Sequence, residues 1–403
     1  MKYHRPLLQA VADILEQTFA TTQYAEKILD NTFKLNAQFG KRDRAFIAEC
    51  VFECVRWWRY YAALLGIDTE KIHLKSEMIK RIIGVHLSLK EITDIEHPFF
   101  ENIPPLAVLH NLQKNLSFSQ RASYPEWLNV YATENLDENI WHNEAIALNN
   151  IAPIVIRCNT LKTTVEDLQN LLGLENITTH RTELANDALV IEGRTNLIIL
   201  PAFKEGLFEI QDAGSQCIAP FLKLKPNATF IDACAGAGGK TLHAAAIMRN
   251  KGRIIALDIF QQKLNELHKR AARQGINDIE TRLIDSEKVI RALKNSADAV
   301  LLDVPCTGLG VLRRQPDTKW KLTPQTLEDV LKTQQHILKT YSSMACVGGC
   351  VVYATCSILR SENEQQVKLF LKENSNFELE EQRTISPHLN GFDGFFMARL
   401  RRK

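Results

Sequence analysis

Short apolar runs alternate with longer polar-faced ones through the second half of the chain, and this alternation constrains the fold more than any other feature. Apolar segments at 229–233, 253–257, 298–302 and 350–354 are separated by helical stretches. Strand, helix, strand, helix is the pattern of a doubly wound parallel sheet covered by helices on both faces. The chain upstream reads differently. Over residues 1–145 apolar positions recur at helical spacing, as in Leu7, Leu8, Val11, Ile14 and Leu15. Breaks at Pro104-Pro105 and Tyr124-Pro125 divide this region into several helices. Residues 150–225 mix both periods. A strand is expected at 154–158, and a helix capped by Thr164, with Asp167 at its third position, through Leu172. Further strands are expected at 188–192 and 197–200. The predicted organisation is an all-helical module (1–145), a small α+β domain (150–225) and an α/β domain (226–403).

Charge narrows the function classes. The 403 residues carry 49 Lys/Arg and 47 Asp/Glu, a net of +2, so no chain-wide basic coat for nucleic acid exists. Residues 1–145 hold 16 basic and 19 acidic side chains, and the remainder 33 and 28, which places a polyanion site in the second part. Every apolar run falls far short of the roughly 18 residues of a membrane span. Asp13 and Glu16 interrupt what would be a signal-peptide core, and the expected location is cytoplasmic. Nine cysteines in a chain this long are too sparse for a disulfide framework. Cys50/Cys54 and Cys346/Cys350 lack a neighbouring His cluster, so no zinc site is expected.

The first strand of the α/β region runs into Cys234-Ala235-Gly236-Ala237-Gly238-Gly239-Lys240-Thr241 and then a helix. Three glycines let a backbone turn sharply and approach a ligand. A phosphate-binding P-loop would need glycine at position 234, where Cys234 stands. A dinucleotide fingerprint would need a third glycine at position 241, where Thr241 stands. The third reading is the S-adenosyl-methionine loop of methyltransferases, which share the sheet but bind no pyrophosphate. Asp258 ends the second strand twenty residues after Gly238, where an acid accepts from ribose hydroxyls. Asp285, after the third strand at 281–284, can meet an adenine edge.

The fourth strand ends in Asp303 and runs into Val304-Pro305-Cys306-Thr307, and the fifth ends in Thr355-Cys356-Ser357. Both cysteines lie at carboxyl ends of parallel strands, where open α/β sheets bind ligands. Cys350, inside its strand, is read as inert core. Two such thiols suit methylation at carbon 5 of cytosine. That carbon is too weak a nucleophile unless a thiolate first adds to carbon 6. Asp303 can hold the exocyclic amine or ring nitrogen of the base.

These motifs resemble the RNA cytosine-5 methyltransferases of the Nop/Sun (Fmu) group. The segments 232–241, 303–310 with Arg313-Arg314-Gln315-Pro316-Asp317, Thr355-Cys356-Ser357 with Glu362-Asn363-Glu364, and Asp393-Gly394-Phe395-Phe396 carry the likeness. Arg157 to Lys162 and Gln211 to Gln216 resemble the group's RNA-binding middle domain. The resemblance implies a Rossmann-like class I methyltransferase sheet. It implies Cys356 as nucleophile and Cys306 as the thiol that aids release. It also implies S-adenosyl-methionine held by residues 234–240, with Asp258, Asp285 and Asp303 around the cofactor and base, and Lys240 pointing at the base or Asp303. One departure is Ala237, where the group usually has proline. Gly40 to Arg44, before a helix expected at 45–61, and Tyr124 to Leu128 resemble the NusB-like module of bacterial ribosomal RNA members. The implied substrate is RNA, 16S rRNA before tRNA, with no metal and no membrane. A non-catalytic RNA-binding assembly factor on the same fold is the remaining alternative. Arg313, Arg314, Lys319 and Lys321 are read as a basic run able to contact phosphates.

Overall fold

The computed structural model describes residues 4–69, 76–90, 99–100, 102–193 and 195–403. Two compact units emerge. One comprises Met1–Asn149 with Leu312–Pro324, the other Asn150–Val311 with Gln325–Lys403.

In the first unit the described residues of 4–149 form helices and no strand. Leu8, Val11, Ile14 and Leu15 of the helix Arg5–Ala20 share a core with Ile47, Cys50, Val51 and Cys54 of the helix Lys41–Arg56 and with Ile79, Ile82 and Ile83 of Ser76–Leu89. Their spacing puts one apolar stripe per helix toward the core. The helix expected at 45–61 is two helices. Gly40 opens the first, its N–H donating to Asp43 Oδ2 at 2.9 Å. The chain then breaks at Trp57 and resumes as Trp58–Leu64. Ser123 Oγ accepts the Arg59 N–H at 3.1 Å, compensating a donor at the new helix start.

In the basic run Arg313, Lys319 and Lys321 are turned into the protein, whereas Arg314 is exposed. Residues 312–324 are built into the helical unit, and these three cations close helix C-termini. Arg313 Nε donates to Ala147 O at 2.8 Å, Lys319 Nζ to Arg56 O at 2.9 Å, and Lys321 Nζ to Thr18 O at 2.8 Å. Asp317 Oδ2 accepts the Ala25 N–H at 2.7 Å, at the start of the helix Ala25–Leu35. Cations at C-termini and an acid at an N-terminus match the helix dipole and satisfy groups the helix cannot. Lys319 is only 1% exposed, its ammonium 4.3 Å from the Tyr124 ring centroid, and burial drives its pKa well down.

The second unit begins with a four-stranded antiparallel sheet of β1 (Ile154–Cys158), β2 (Thr179–Arg181), β3 (Ala188–Ile191) and β4 (Phe208–Ile210), ordered β2-β3-β1-β4. The helix Val165–Leu174 lies between β1 and β2 in sequence. Thr164 caps it, accepting the Asp167 N–H at 3.1 Å. The strand expected at 197–200 is instead a 3-10 turn, Leu197–Ile199. Leu197 and Leu200 are buried while Ile198 and Ile199 face out. That is a period of three, not two, and Pro201 opens the next helix.

A seven-stranded sheet follows: β5 (Thr229–Asp232), β6 (Arg253–Asp258), β7 (Ile279–Leu283), β8 (Ala297–Asp303), β9 (Ala345–Thr355), β10 (Phe377–Ile385) and β11 (Phe395–Arg402). The order is β10-β11-β9-β8-β5-β6-β7. The first five strands pair in parallel, and β11 and β10 close one edge antiparallel. Successive residues alternate between two cores. Phe230, Ile254, Leu301 and Val352 pack on one face, and Ile231, Ile255, Val300 and Val351 on the other. Burial on both faces explains the nearly unbroken apolar strands. The strand order reverses between β5 and β8, the switch point where such sheets bind ligands. Among the described residues no helix is long and apolar enough to cross a membrane.

Candidate active site

The loop after β5 turns back over β6. Ala235 N–H donates to Leu257 O at 2.9 Å, and Gly236 N–H to Asp258 Oδ2 at 2.8 Å. Gly238, at φ 85°, precedes the helix Gly239–Ile247, and a Cβ there would sit 2.5 Å from Leu267 Cγ. Only glycine satisfies both the left-handed backbone and that close approach. Above Gly236, at φ 54°, a Cβ would meet nothing within 4 Å, so this part of the loop borders open space. Two guanidinium groups hold the loop from behind. Arg270 Nη1 donates to Ala237 O at 2.8 Å, and Arg157 Nη1 to Gly239 O at 2.7 Å. Both belong to a buried network around Glu209, which accepts from Arg270 Nη2 and Gln274 Nε2, each at 2.9 Å, and from Arg273. Arg157, Asn159 and Gln216, in segments expected to meet RNA, are buried and donate to backbone carbonyls of Gly239, Gln274 and Ile156. Burial lowers the Arg157 pKa to about 10, with Glu209 opposing.

Cys234 lies in this loop, packed against the core, and burial pushes its thiol well up. Asp232, at the end of β5, accepts from Thr241 Oγ1 at 2.7 Å, and burial raises its carboxyl to about 7. Asp258 ends β6, and its second oxygen accepts the Phe260 N–H at 2.8 Å. Ile259 and Phe260 beside it are 58% and 61% exposed, an apolar surface that the sequence reading overlooked. Asp285 is exposed two residues past β7, which pairs with β6 in the register Asp258 to Leu283. The two acids therefore stand at adjacent strand ends.

Asp303 ends β8, and Lys240 Nζ donates to its Oδ2 at 2.6 Å. Burial opposes the Lys240 charge, but the Asp303 carboxylate outweighs it and holds the pKa above the ordinary value. The Phe395 ring lies 5.5 Å from the same ammonium.

Cys306 Sγ and Cys356 Sγ are 3.2 Å apart, on loops that leave the neighbouring strands β8 and β9. The hydrogen bond to Cys356, then burial, raises the Cys306 pKa well above that of a free thiol.

A buried carboxylate joins the two loops. Glu362 accepts from Thr307 N at 2.8 Å, Thr307 Oγ1 at 2.5 Å, Ser357 Oγ, and Gln334 Nε2 at 3.0 Å. Thr307 follows one cysteine and Ser357 the other. Asn363 accepts from Thr355 Oγ1 at 2.5 Å and donates to Ser357 O at 2.9 Å. Gly310 N–H donates to Cys356 O at 2.9 Å, and a Cβ on Gly310 would fall 2.2 Å from Gly394 O. The sequence reading noticed Glu362 and Asn363 but had no role for them. Their signal was their place in the motif that carries the family likeness, six and seven residues after Cys356.

The arrangement gathers a glycine loop, strand-end acids, a lysine–carboxylate pair and two thiols at the carboxyl ends of parallel strands. Comparison with known proteins gives the family. Residues 219–401 match the model of the 16S rRNA methyltransferase RsmB/F family, and residues 124–197 match the RsmF/B-like ferredoxin-like domain. A probable ribosomal RNA small subunit methyltransferase B of Synechocystis sp. is 32% identical over 72% of this chain and 69% of its own length. The Bacillus subtilis counterpart is 30% identical over 75% and 71%. A solved methyltransferase homolog protein from Pyrococcus horikoshii superimposes with a TM-score of 0.63 at 26% identity, over 71% of this chain and 98% of its own. With that identity sustained over more than two thirds of its relatives, and with the family's domain matched across the site itself, the chain belongs to the RsmB/F family of 16S rRNA methyltransferases.

Proposed function

We propose that the protein methylates carbon 5 of a cytosine in 16S rRNA, with Cys356 adding covalently to the base. The observation that carries this reading is the pair of thiols 3.2 Å apart beside the Lys240–Asp303 ion pair. Methyl transfer to an amine has no use for two such sulfurs.

The residues at the loop fit S-adenosyl-methionine. The open space over Gly236 takes the methionine portion, Asp258 accepts from the ribose, and Ile259 and Phe260 offer an apolar face to the adenine, with Asp285 at its edge. When bound, it supplies an electrophilic methyl group.

A flipped cytosine meets Asp303, whose carboxylate accepts from the exocyclic amine while Lys240 fixes its orientation. Cys356 reacts as the thiolate. Its sulfur forms a bond to carbon 6, and the electrons of the 5,6 double bond move toward carbon 5, making that carbon nucleophilic. After methylation the carbon 5 proton leaves to water, the double bond re-forms and the carbon–sulfur bond breaks. Cys306, still protonated, donates to the departing Cys356 sulfur.

Substitution of each thiol tests the reading. Cys356→Ser should abolish methylation and form no adduct, because a hydroxyl is a far weaker nucleophile. Cys306→Ala should permit addition but stall release, leaving a slow-migrating protein–RNA band on a denaturing gel. Trapping by the Cys356 variant alone would reverse the roles, and retained turnover in that variant would refute the covalent route.

A further inference from the structure

The helical unit contains a cavity of about 550 Å³ that plays no part in the chemistry above. Small-ligand sites run from about 300 to 1,000 Å³, so it is large enough for a nucleotide. The helix break at Trp57 creates its wall. Trp57 and Tyr60 present rings 5.9 Å apart at 66°, with Tyr61 buried behind them and fixed by its hydroxyl 3.0 Å from His86 Nδ1. Lys90 and Arg121 are exposed on the lining and make no ion pair among the described residues. Glu53, the acid of the lining, is engaged by Arg56 Nε at 3.2 Å. Gln113 stands beside the Tyr60 hydroxyl. Among the described residues of the lining, the exposed cations Lys90 and Arg121 outnumber the single acid, Glu53.

We propose that this cavity binds one unstacked nucleotide of the RNA substrate. The base stacks on Tyr60 with the Trp57 ring, at 66° to it, closing one side; Gln113 meets its edge, and Lys90 and Arg121 take the flanking phosphates. Aromatic platforms beside a positively charged groove are how single-stranded nucleic acid is held with little sequence preference. A protein partner fits less well, because it would leave both cations without the dense negative charge that a phosphate backbone supplies. The inference rests on RNA being the substrate.

The test uses the full-length protein and an unmodified 16S rRNA transcript, with binding measured at several salt concentrations and methyl transfer measured in parallel. Tyr60→Leu should weaken binding by about tenfold, within the range for loss of one stacked base. The Lys90→Gln/Arg121→Gln double variant, altered only at exposed side chains, should reduce the slope of log affinity against log salt by about 1.4, since each single-strand phosphate contact contributes about 0.7. Affinity for S-adenosyl-methionine and the circular dichroism spectrum should match the parent. If the parent binds and methylates the transcript while both folded variants bind it with unchanged affinity and slope, the cavity inference alone falls. Unchanged transcript binding with weakened binding to small-subunit particles would overturn it in favour of a protein partner. A parent that neither binds nor methylates the transcript overturns both this inference and the function it rests on.

Discussion

Glu362 gives the sharpest test of how the two thiols are held. It is fully buried; burial raises its pKa, and the four hydrogen bonds that converge on it oppose that rise. Glu362→Gln keeps the shape and removes the carboxylate. The Thr307 N–H cannot reverse its role, so the amide oxygen must stay on it, leaving the amide nitrogen toward the Thr307 and Ser357 hydroxyls. Those hydroxyls can rotate to accept. Each bond changes from charge-assisted, about 1.5–3 kcal/mol, to neutral, about 0.5–1.5 kcal/mol. Relief of the carboxylate's desolvation offsets much of that loss, so stability should fall by only about 1 kcal/mol. The rate should fall further. Both loops carry a reacting sulfur, and a displacement near 1 Å at a reacting atom costs on the order of a hundredfold. A tenfold or greater drop in kcat is expected, with KM for S-adenosyl-methionine unchanged, since Glu362 touches none of the cofactor loop. Single-turnover methyl transfer at saturating cofactor, beside a thermal melt, separates the two effects. Glu362→Ala, which orphans the buried Thr307 N–H, should instead cost about 1–3 kcal/mol in folding from that donor alone. A Gln variant that melts as the parent does and transfers methyl within twofold of its rate would refute the positioning role.

Other expectations follow from the same geometry. Asp258→Asn should weaken S-adenosyl-methionine binding tenfold or more, since ribose hydrogen bonds to a carboxylate contribute about 1.5–3 kcal/mol each; unchanged affinity by calorimetry would remove Asp258 from the cofactor site. Asp232 holds a proton in the folded state up to about pH 7 that the unfolded chain, at the ordinary 3.8, has released. Stability should therefore fall as pH rises through that window, by up to about 4 kcal/mol from this group. Asp232→Asn should flatten the profile in urea unfolding between pH 4.5 and 7.5, and parallel profiles would count against the shifted carboxyl. Deletion of residues 1–149 should yield an insoluble or unstable fragment, because Lys319, Trp320 and Arg313 lose the carbonyls they bind; a soluble fragment with full methyl transfer would show that those contacts are dispensable.

Local pattern made much of the protein legible from its residues alone. The alternation of apolar strands and polar-faced helices marked the sheet, since strands buried on both faces must read as continuous apolar runs. Gly238, Asp258, Asp303, Cys306 and Cys356 were readable because each sits at a fixed offset from a strand end, and strand ends are visible in one dimension. Thr164 as a cap was equally local. The errors have a common origin. The 197–200 segment is apolar enough for a strand, but its burial repeats every third residue, which apolarity alone does not reveal. The helix across 45–61 keeps its apolar rhythm through Trp57, and only the packing of Ser123 against the new helix start shows why the chain breaks there.

The basic run is the clearest case of what tertiary structure alone decided. Arg313, Lys319 and Lys321 have the composition of a phosphate contact, yet their partners are carbonyls of residues 147, 56 and 18. Nothing near them in sequence announces that they complete a helical unit formed by residues some hundreds of positions away. Glu362 shows the same limit, because its worth lies in meeting Thr307, Ser357 and Gln334 at one point. A lone polar residue carries no sign of its partners. Sequence thus determined which elements form and which reactive groups stand at their ends, because both depend on neighbours along the chain. Which charges are buried, which loops are braced and how close the two sulfurs stand were settled by the folded chain, because those depend on distances that no linear spacing encodes.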